Sequence, residues 1–260
     1  LIAVTGKGGV GKTTVAALTV CRLIRQGRSP VLAVDADPNS CLDAMLGVTV
    51  EKTVGGVREE ARQIAGQGMG AGISKQDLLE LKIAESLVEA ADFDLISMGR
   101  PEGPGCYCYA NNVLKAALAQ IADAYPYVVL DNEAGLENLS RRLVQRVDLL
   151  VMVADPSRRG LDTLLRLHAL TREMEIGYDR LAVVINRLRR DALPDRAGEI
   201  AERVGADTVI GIPDDDELAE LGERGAPLTG LADTNIAASR VDDLLALLTA
   251  EACPSQAPTA

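Results

Sequence analysis

The chain has 260 residues, with 38 acidic side chains against 27 basic ones and a formal net charge of −11. That balance disfavours non-specific binding to nucleic acid or to an anionic membrane, both of which need a basic face, and no apolar stretch approaches the length of a membrane span or reads as a secretion signal. With no Trp and one Phe, the core must be built from Ala, Val, Leu and Ile, while five irregularly spaced cysteines imply no disulfide framework and make a reducing cytoplasm the expected compartment.

Residues 1–5 form a short apolar run, read as a buried strand. The nine residues from Gly6 to Thr14, GKGGVGKTT, follow it as a G-x-x-x-x-G-K-T phosphate loop. Gly6, Gly8, Gly9 and Gly11 leave room for successive backbone N–H groups, that of Val10 among them, to converge on a phosphate. Lys12 reaches the β- and γ-phosphates, the Thr13 hydroxyl can ligate Mg²⁺, and Thr14 continues into a helix whose dipole favours the anion. Val15, Ala16, Leu18, Val20, Leu23 and Ile24 recur at helical spacing and predict a helix over 12–26. Lys7 is not required for cradling phosphate; spacing alone reads it equally well as a solvated surface lysine.

Further along, apolar runs at 31–35, 93–98, 127–131, 149–153, 181–186 and 209–212 predict strands. Longer periodic stretches predict helices over 75–90, 111–124, 136–146, 158–174, 194–203, 215–224 and 235–249. The Gly-rich stretch 55–72 has no clear assignment. The alternation implies an α/β fold: a doubly wound, mostly parallel sheet of seven to eight strands flanked by helices. A single nucleotide-binding domain is expected over 1–250, followed by a disordered tail over 251–260. In such a sheet ligands sit at the carboxyl ends of the strands.

Those ends are acidic. The second strand leads into DADPN, with Asp35 and Asp37, and the run at 127–130 leads into DNEAG, with Asp131 and Gly135. Asp131 after four apolar residues suits a Mg²⁺ shell, and Asp35 and Asp37 can contribute to the same shell, directly or through water. Gly135 would let a backbone N–H approach the γ-phosphate, and Asp37 is placed to orient an attacking water. Each aspartate also suits a cap or turn, Asp37 before Pro38 being a common turn opening.

The phosphate loop, DADP, DNEAG and the INR of 185–187 together resemble the deviant Walker A ATPases: nitrogenase iron protein, the septum- and chromosome-positioning ATPases, and metal-insertion ATPases. The resemblance implies that ATP is the nucleotide and that it is held between two face-to-face subunits of a homodimer. It makes Lys7 the signature lysine that reaches the phosphates bound by the partner subunit, gives Asp37 the water, and sets Asn186, Pro213 and Asp214 against the adenine.

Cys106 and Cys108, within GPGCYCYANN, narrow the branch. Two thiolates at i and i+2 can bind one soft or borderline metal ion, but such ions usually take four ligands. His168, the single histidine, falls in a predicted helix and offers no completion. A twofold axis near the loop would bring both pairs into one four-thiolate site. The alternative is two thiols that happen to be neighbours. Cys21 and Cys41 read as small packing residues in helical context, and Cys253 falls in the tail.

The stretches DADPNSCL, MGRPEGPGCYC and AGLENL are similar to the CooC family, the nickel-insertion accessory ATPases of carbon monoxide dehydrogenase maturation. That similarity implies ATP-driven dimerisation, Ni²⁺ or Zn²⁺ bound between subunits by Cys106 and Cys108, and delivery to carbon monoxide dehydrogenase or the related acetyl-CoA synthase. Two alternatives stand beside it. An iron-protein-like reductase would hold a [4Fe–4S] cluster on the same cysteines, but it needs a second cluster cysteine after Asp131, and residues 131–140 contain none. A positioning ATPase would need a basic amphipathic final helix or a basic surface, whereas RVDDLLALLTAEA has one basic residue against three acidic ones and reads as a helix packed on the sheet.

Overall fold

A computed structural model describes residues 1–39, 41–66, 75–100, 114, 115, 118, 121–135, 146–190 and 192–249. Its strands are β1 (Ile2–Gly6), β2 (Val31–Asp35), β3 (Leu87–Glu89), β4 (Phe93–Ser97), β5 (Tyr127–Asp131), β6 (Arg146–Ala154), β7 (Gly177–Leu188) and β8 (Thr208–Pro213). They form one eight-stranded sheet in the order β3-β4-β2-β5-β1-β6-β7-β8. All neighbouring pairs are parallel except β3 with β4. The order reverses at β1, so the phosphate loop leaves the sheet near its middle, at the switch point where such folds bind ligands.

The helices are α1 (Lys12–Arg25), α2 (Leu42–Leu46), α3 (Val54–Gly66), α4 (Lys75–Ala84), α5 (Arg158–Glu173), α6 (Asp195–Val204), α7 (Asp216–Arg224) and α8 (Ile236–Ala246). Alternation along each central strand feeds two cores. Ile2, Val4, Val31, Ala33, Leu149, Val151 and Val153 pack on one face with α1, α2 and α8. Ala3, Leu32, Val34, Leu150, Met152 and Ala154 pack on the other with α5 and α6. Both faces are covered, so the strands are apolar throughout. Each fully buried Val, Leu or Ile contributes on the order of 1.5–3 kcal/mol.

α1 is also tied to α8 by charge. The Arg22 guanidinium donates twice to Asp242, at 2.9 and 2.7 Å, and once to Asp233 at 2.9 Å. Gln26 adds a bond to Asp242 at 2.7 Å.

Several expectations are corrected. The helix predicted over 75–90 ends at Ala84, and Leu87–Glu89 turns back to pair antiparallel with 94–96 as an edge strand. Ser86 donates through both its N–H and its hydroxyl to the Ile83 carbonyl, which closes the helix. β6 and β7 extend beyond their apolar centres into charged residues such as Arg146 and Asp179, which pair with each other across the strand starts. The unassigned Gly-rich stretch is helical over 55–66, as part of α3. Of the helix expected over 111–124, only 114, 115, 118 and 121–124 are described, ending in a 3₁₀ turn at Ala122–Ala124. The helix expected over 136–146 lies outside the described residues except for Arg146, which opens β6, and the tail 251–260 lies outside them entirely.

Candidate functional site

The carboxyl ends of β1, β2, β5 and β7 converge on the loop between Gly6 and Thr14. Gly6 is close-packed: a Cβ there would stand 2.3 Å from the Val153 carbonyl oxygen of β6. Gly9 and Gly11 have φ of 80° and 91°, a left-handed backbone that favours glycine. Lys7 is exposed, whereas Lys12 is 7 % exposed and its Nζ donates to the Lys7 carbonyl at 3.4 Å. α1 begins at Gly11 without a side-chain cap. By contrast α5, α7 and α8 are capped by Ser157, Asp215 and Asn235. The first N–H groups of α1 are therefore not taken by a capping side chain, as an anion site at a helix start requires.

Asp131 closes β5 beside this loop. It is 1 % exposed, and neither carboxylate oxygen has a hydrogen-bond partner. Burial pushes its carboxyl up to about 7, with the Asp35 and Asp37 charges adding to the rise while Thr13 and Lys12 oppose it. The Thr13 hydroxyl is near enough to favour the carboxylate but does not form a closed hydrogen bond with it. A buried, unpartnered carboxylate next to a threonine hydroxyl offers the oxygen ligands that Mg²⁺ takes beside a nucleotide's phosphates, while the lysine ammonium is a partner for the phosphate oxygens themselves.

Asp35 has a different environment. Its Oδ1 accepts from the Asp37 N–H at 3.0 Å, and its Oδ2 accepts from the Cys41 and Leu42 N–H groups at 3.0 and 3.1 Å. Burial nonetheless raises its carboxyl to about 6, against the pull of those three bonds. Asp35 thus shapes the loop and anchors the start of α2. Asp37, half-buried, accepts from the Asn39 N–H at 2.8 Å and its side-chain amide at 3.2 Å. Arg100, after β4, donates to the Asn39 side-chain Oδ1 and so steadies the Asp37 loop from the next strand. No spacing signal in the sequence marks Arg100 for this task. Cys41 is exposed at the N-cap of α2 rather than packed, while Cys21 is buried in α1 as expected.

The segment after β5 is pinned to the phosphate loop. The Thr5 hydroxyl donates to the Gly135 carbonyl at 2.7 Å, and the Gly135 N–H donates to the Gly6 carbonyl at 3.0 Å. The N–H expected to face a γ-phosphate is therefore engaged by the loop's own backbone. Asn186 ends the apolar run of β7, 8 % exposed, and its Nδ2 donates to the Val10 carbonyl at 2.9 Å. Pro213 closes β8, and the Asp214 N–H is held by the Leu188 carbonyl at 2.8 Å. Asn186, Pro213 and Asp214 therefore lie at neighbouring strand ends, and the hold of Asn186 on the phosphate loop is an addition to the role expected for it. Thr14 lies in the first turn of α1. Cys106 and Cys108 lie outside the described residues. Among the described residues, no group of three or more His, Cys, Asp or Glu side chains is arranged to hold a metal ion.

Comparison with known proteins agrees with this geometry. Residues 1–228 match the family model of the CobQ/CobB/MinD/ParA nucleotide binding domain. An uncharacterised ATP-binding protein of Methanocaldococcus jannaschii is 42 % identical over 94 % of this chain and 96 % of its own length. The carbon monoxide dehydrogenase accessory protein CooC of Rhodospirillum rubrum is 31 % identical over 86 % of this chain and 87 % of its own. Among solved structures, the cell division ATPase MinD of Pyrococcus furiosus superposes with a TM-score of 0.68 at 21 % identity, covering 95 % of this chain and 97 % of that one, which shows a shared fold. The loop, the strand order and the family match agree: this chain belongs to the CobQ/CobB/MinD/ParA nucleotide-binding family and is an ATPase.

Proposed function

We propose that this ATPase is a homodimeric metal-delivery protein that couples Mg²⁺-dependent ATP hydrolysis to the handling of Ni²⁺ or Zn²⁺ for carbon monoxide dehydrogenase or a related nickel enzyme. The observation that carries the nucleotide half is the buried, unpartnered Asp131 carboxylate beside Thr13 and Lys12. The cargo half is supported by the 31 % identity to CooC and by the Cys106 and Cys108 pair.

In this reading the backbone of 6–14 cradles the triphosphate, and Lys12 swings from the Lys7 carbonyl to the β- and γ-phosphates. Thr13 and Asp131 would hold Mg²⁺ directly or through water, with Asp35 fixing the loop that carries Asp37. When bound, Mg²⁺ would neutralise charge on the β- and γ-phosphate oxygens. Asp37 accepts a hydrogen bond from the attacking water and aligns it with the γ-phosphorus. Lys7, exposed at the loop tip, crosses to the partner subunit's nucleotide, so that closing the dimer adds a cation where charge develops. Asn186, Pro213 and Asp214 line the adenine. The cysteines of both subunits complete a four-thiolate site for the cargo ion in the cytoplasm, and the chain's net charge keeps nucleic acid and membrane out of the scheme.

The test is an anaerobic titration of the dimer with Ni²⁺ and with Zn²⁺. About one ion per dimer is expected, with binding lost in both Cys106→Ser and Cys108→Ser. Unchanged stoichiometry in those variants removes the cargo site while leaving the ATPase intact. A positioning ATPase shares this fold and calls for a free amphipathic helix; among the described residues the last helix, α8, buries Ala237, Ala238, Val241, Leu244 and Leu245 in the core shared with α1 and does not supply one.

A further inference from the structure

The buried amide of Asn186 sits two strands from β1, yet it ends on the phosphate loop. β7 brings it there by alternation: Ala182 and Val184 face the α1 side of the sheet, Val183 and Ile185 the other, and Asn186 continues on the α1 side. The backbone then turns sharply. Arg187 has φ of 60°, uncommon for a residue with a side chain, and the pairing with β8 slips between Ile185 and Leu188. This irregularity ends the regular strand just where the Asn186 Nδ2 donates to Val10 at 2.9 Å. The contact is tight: a Cβ at Gly11 would lie 2.3 Å from the same nitrogen. Gly11 is therefore required both by its left-handed φ and by the amide packed against it.

A phosphate loop binds anions only while its N–H groups point inward and its carbonyls point away. The Val10 carbonyl belongs to the peptide that carries the Gly11 N–H, so whatever holds that oxygen toward β7 also sets the direction of that N–H. We infer that Asn186 is a positioning residue for triphosphate binding, holding the Val10–Gly11 peptide in its anion-binding orientation. One amide N–H serves this hold. The carbonyl oxygen and the second N–H form the acceptor and donor pair that complements the N6 and N7 edge of adenine. One side chain thus joins base recognition to the shape of the phosphate cradle. The inference rests on the phosphate-loop reading of residues 6–14.

The experiment separates phosphate from base by using inorganic tripolyphosphate with Mg²⁺ as a ligand that lacks adenine. Asn186→Ala and the near-isosteric Asn186→Asp, which cannot donate to Val10 when ionised, are each compared with the wild type by calorimetry. Both variants are expected to weaken tripolyphosphate about ten-fold, as for loss of a hydrogen bond that leaves a buried carbonyl unpaired. In the ligand-free protein, amide exchange of 7–14 should quicken while that of β1 and β6 is unchanged. Variants that lose ATP affinity but keep tripolyphosphate affinity and slow exchange would reduce Asn186 to an adenine contact and overturn the inference, as would variants unchanged in all three measurements. Wild-type protein that binds neither ligand would instead remove the phosphate-loop reading itself.

Discussion

Asp131 is where folding and nucleotide binding oppose each other. Its carboxyl is raised to about 7, chiefly by burial, from an ordinary value of 3.8. The folded chain therefore holds this proton more tightly than the unfolded chain does. The resulting stability is complete below about pH 4 and is lost as pH rises through 7. Asp35, raised to about 6, acts in the same direction over a lower window. Ligand-free protein should accordingly melt at progressively lower temperature from pH 5 to pH 8. Asp131→Asn should flatten the upper part of that decline and leave the part due to Asp35. In the proposed scheme Mg²⁺ takes the ionised carboxylate, so the rise in Tm on adding Mg²⁺ and ATP should grow with pH in the wild type and vanish in Asp131→Asn. A variant whose melting tracked the wild type at every pH would separate Asp131 from both effects. For Asp37→Ala, the expectation is retained ATP binding with turnover slowed on the order of 10²-fold, the usual worth of a positioned base. Steady-state and single-turnover rates measure it.

At the scale of elements, the phosphate loop was legible because strand, glycines and helix adjoin in one continuous segment. The acidic strand ends were legible because each follows an apolar run. What escaped is non-local. β3 is three residues long and exists only because β4 offers it an edge. The same holds for Gly135, whose N–H goes to Gly6 and not outward, for Arg100, which steadies the Asp37 loop through Asn39, and for Asn186, whose partner lies 176 positions away. A spacing pattern reports what a residue type can do, whereas these bonds depend on which strands become neighbours. α1 allows a direct check on core energetics. Leu23, fully buried in its last turn and remote from the phosphates, should destabilise the protein by about 2–5 kcal/mol as Leu23→Ala. Urea unfolding measures this, and the folded variant should keep its affinity for ATP.

For the molecule as a whole, the proposed dimer makes Lys7 a switch between states of association. It is exposed at the tip of a loop whose other lysine is buried. Lys7→Ala should retain nucleotide binding by the single subunit, lose hydrolysis, and remain monomeric by light scattering in the presence of ATP. Wild-type protein, or Asp37→Ala with ATP undischarged, should double in mass. A Lys7→Ala protein that turned over normally would show that the catalytic cation comes from within one subunit.

The clasp from Arg22 to Asp242 and Asp233 has a consequence for where this chain tolerates being cut. α8 is the last described helix, yet it packs against α1 in the same core and takes the charge of a guanidinium whose side chain is only 14 % exposed. A nick in the connection near 230–235 lies more than 200 positions from the phosphate loop. Loss of α8 would nonetheless strip apolar cover from the helix that opens at Gly11 and leave Arg22 without its carboxylates. A protease acting there would extinguish nucleotide binding from the opposite end of the polypeptide, and nucleotide-bound protein, with α1 held at its start, should resist that cut longest.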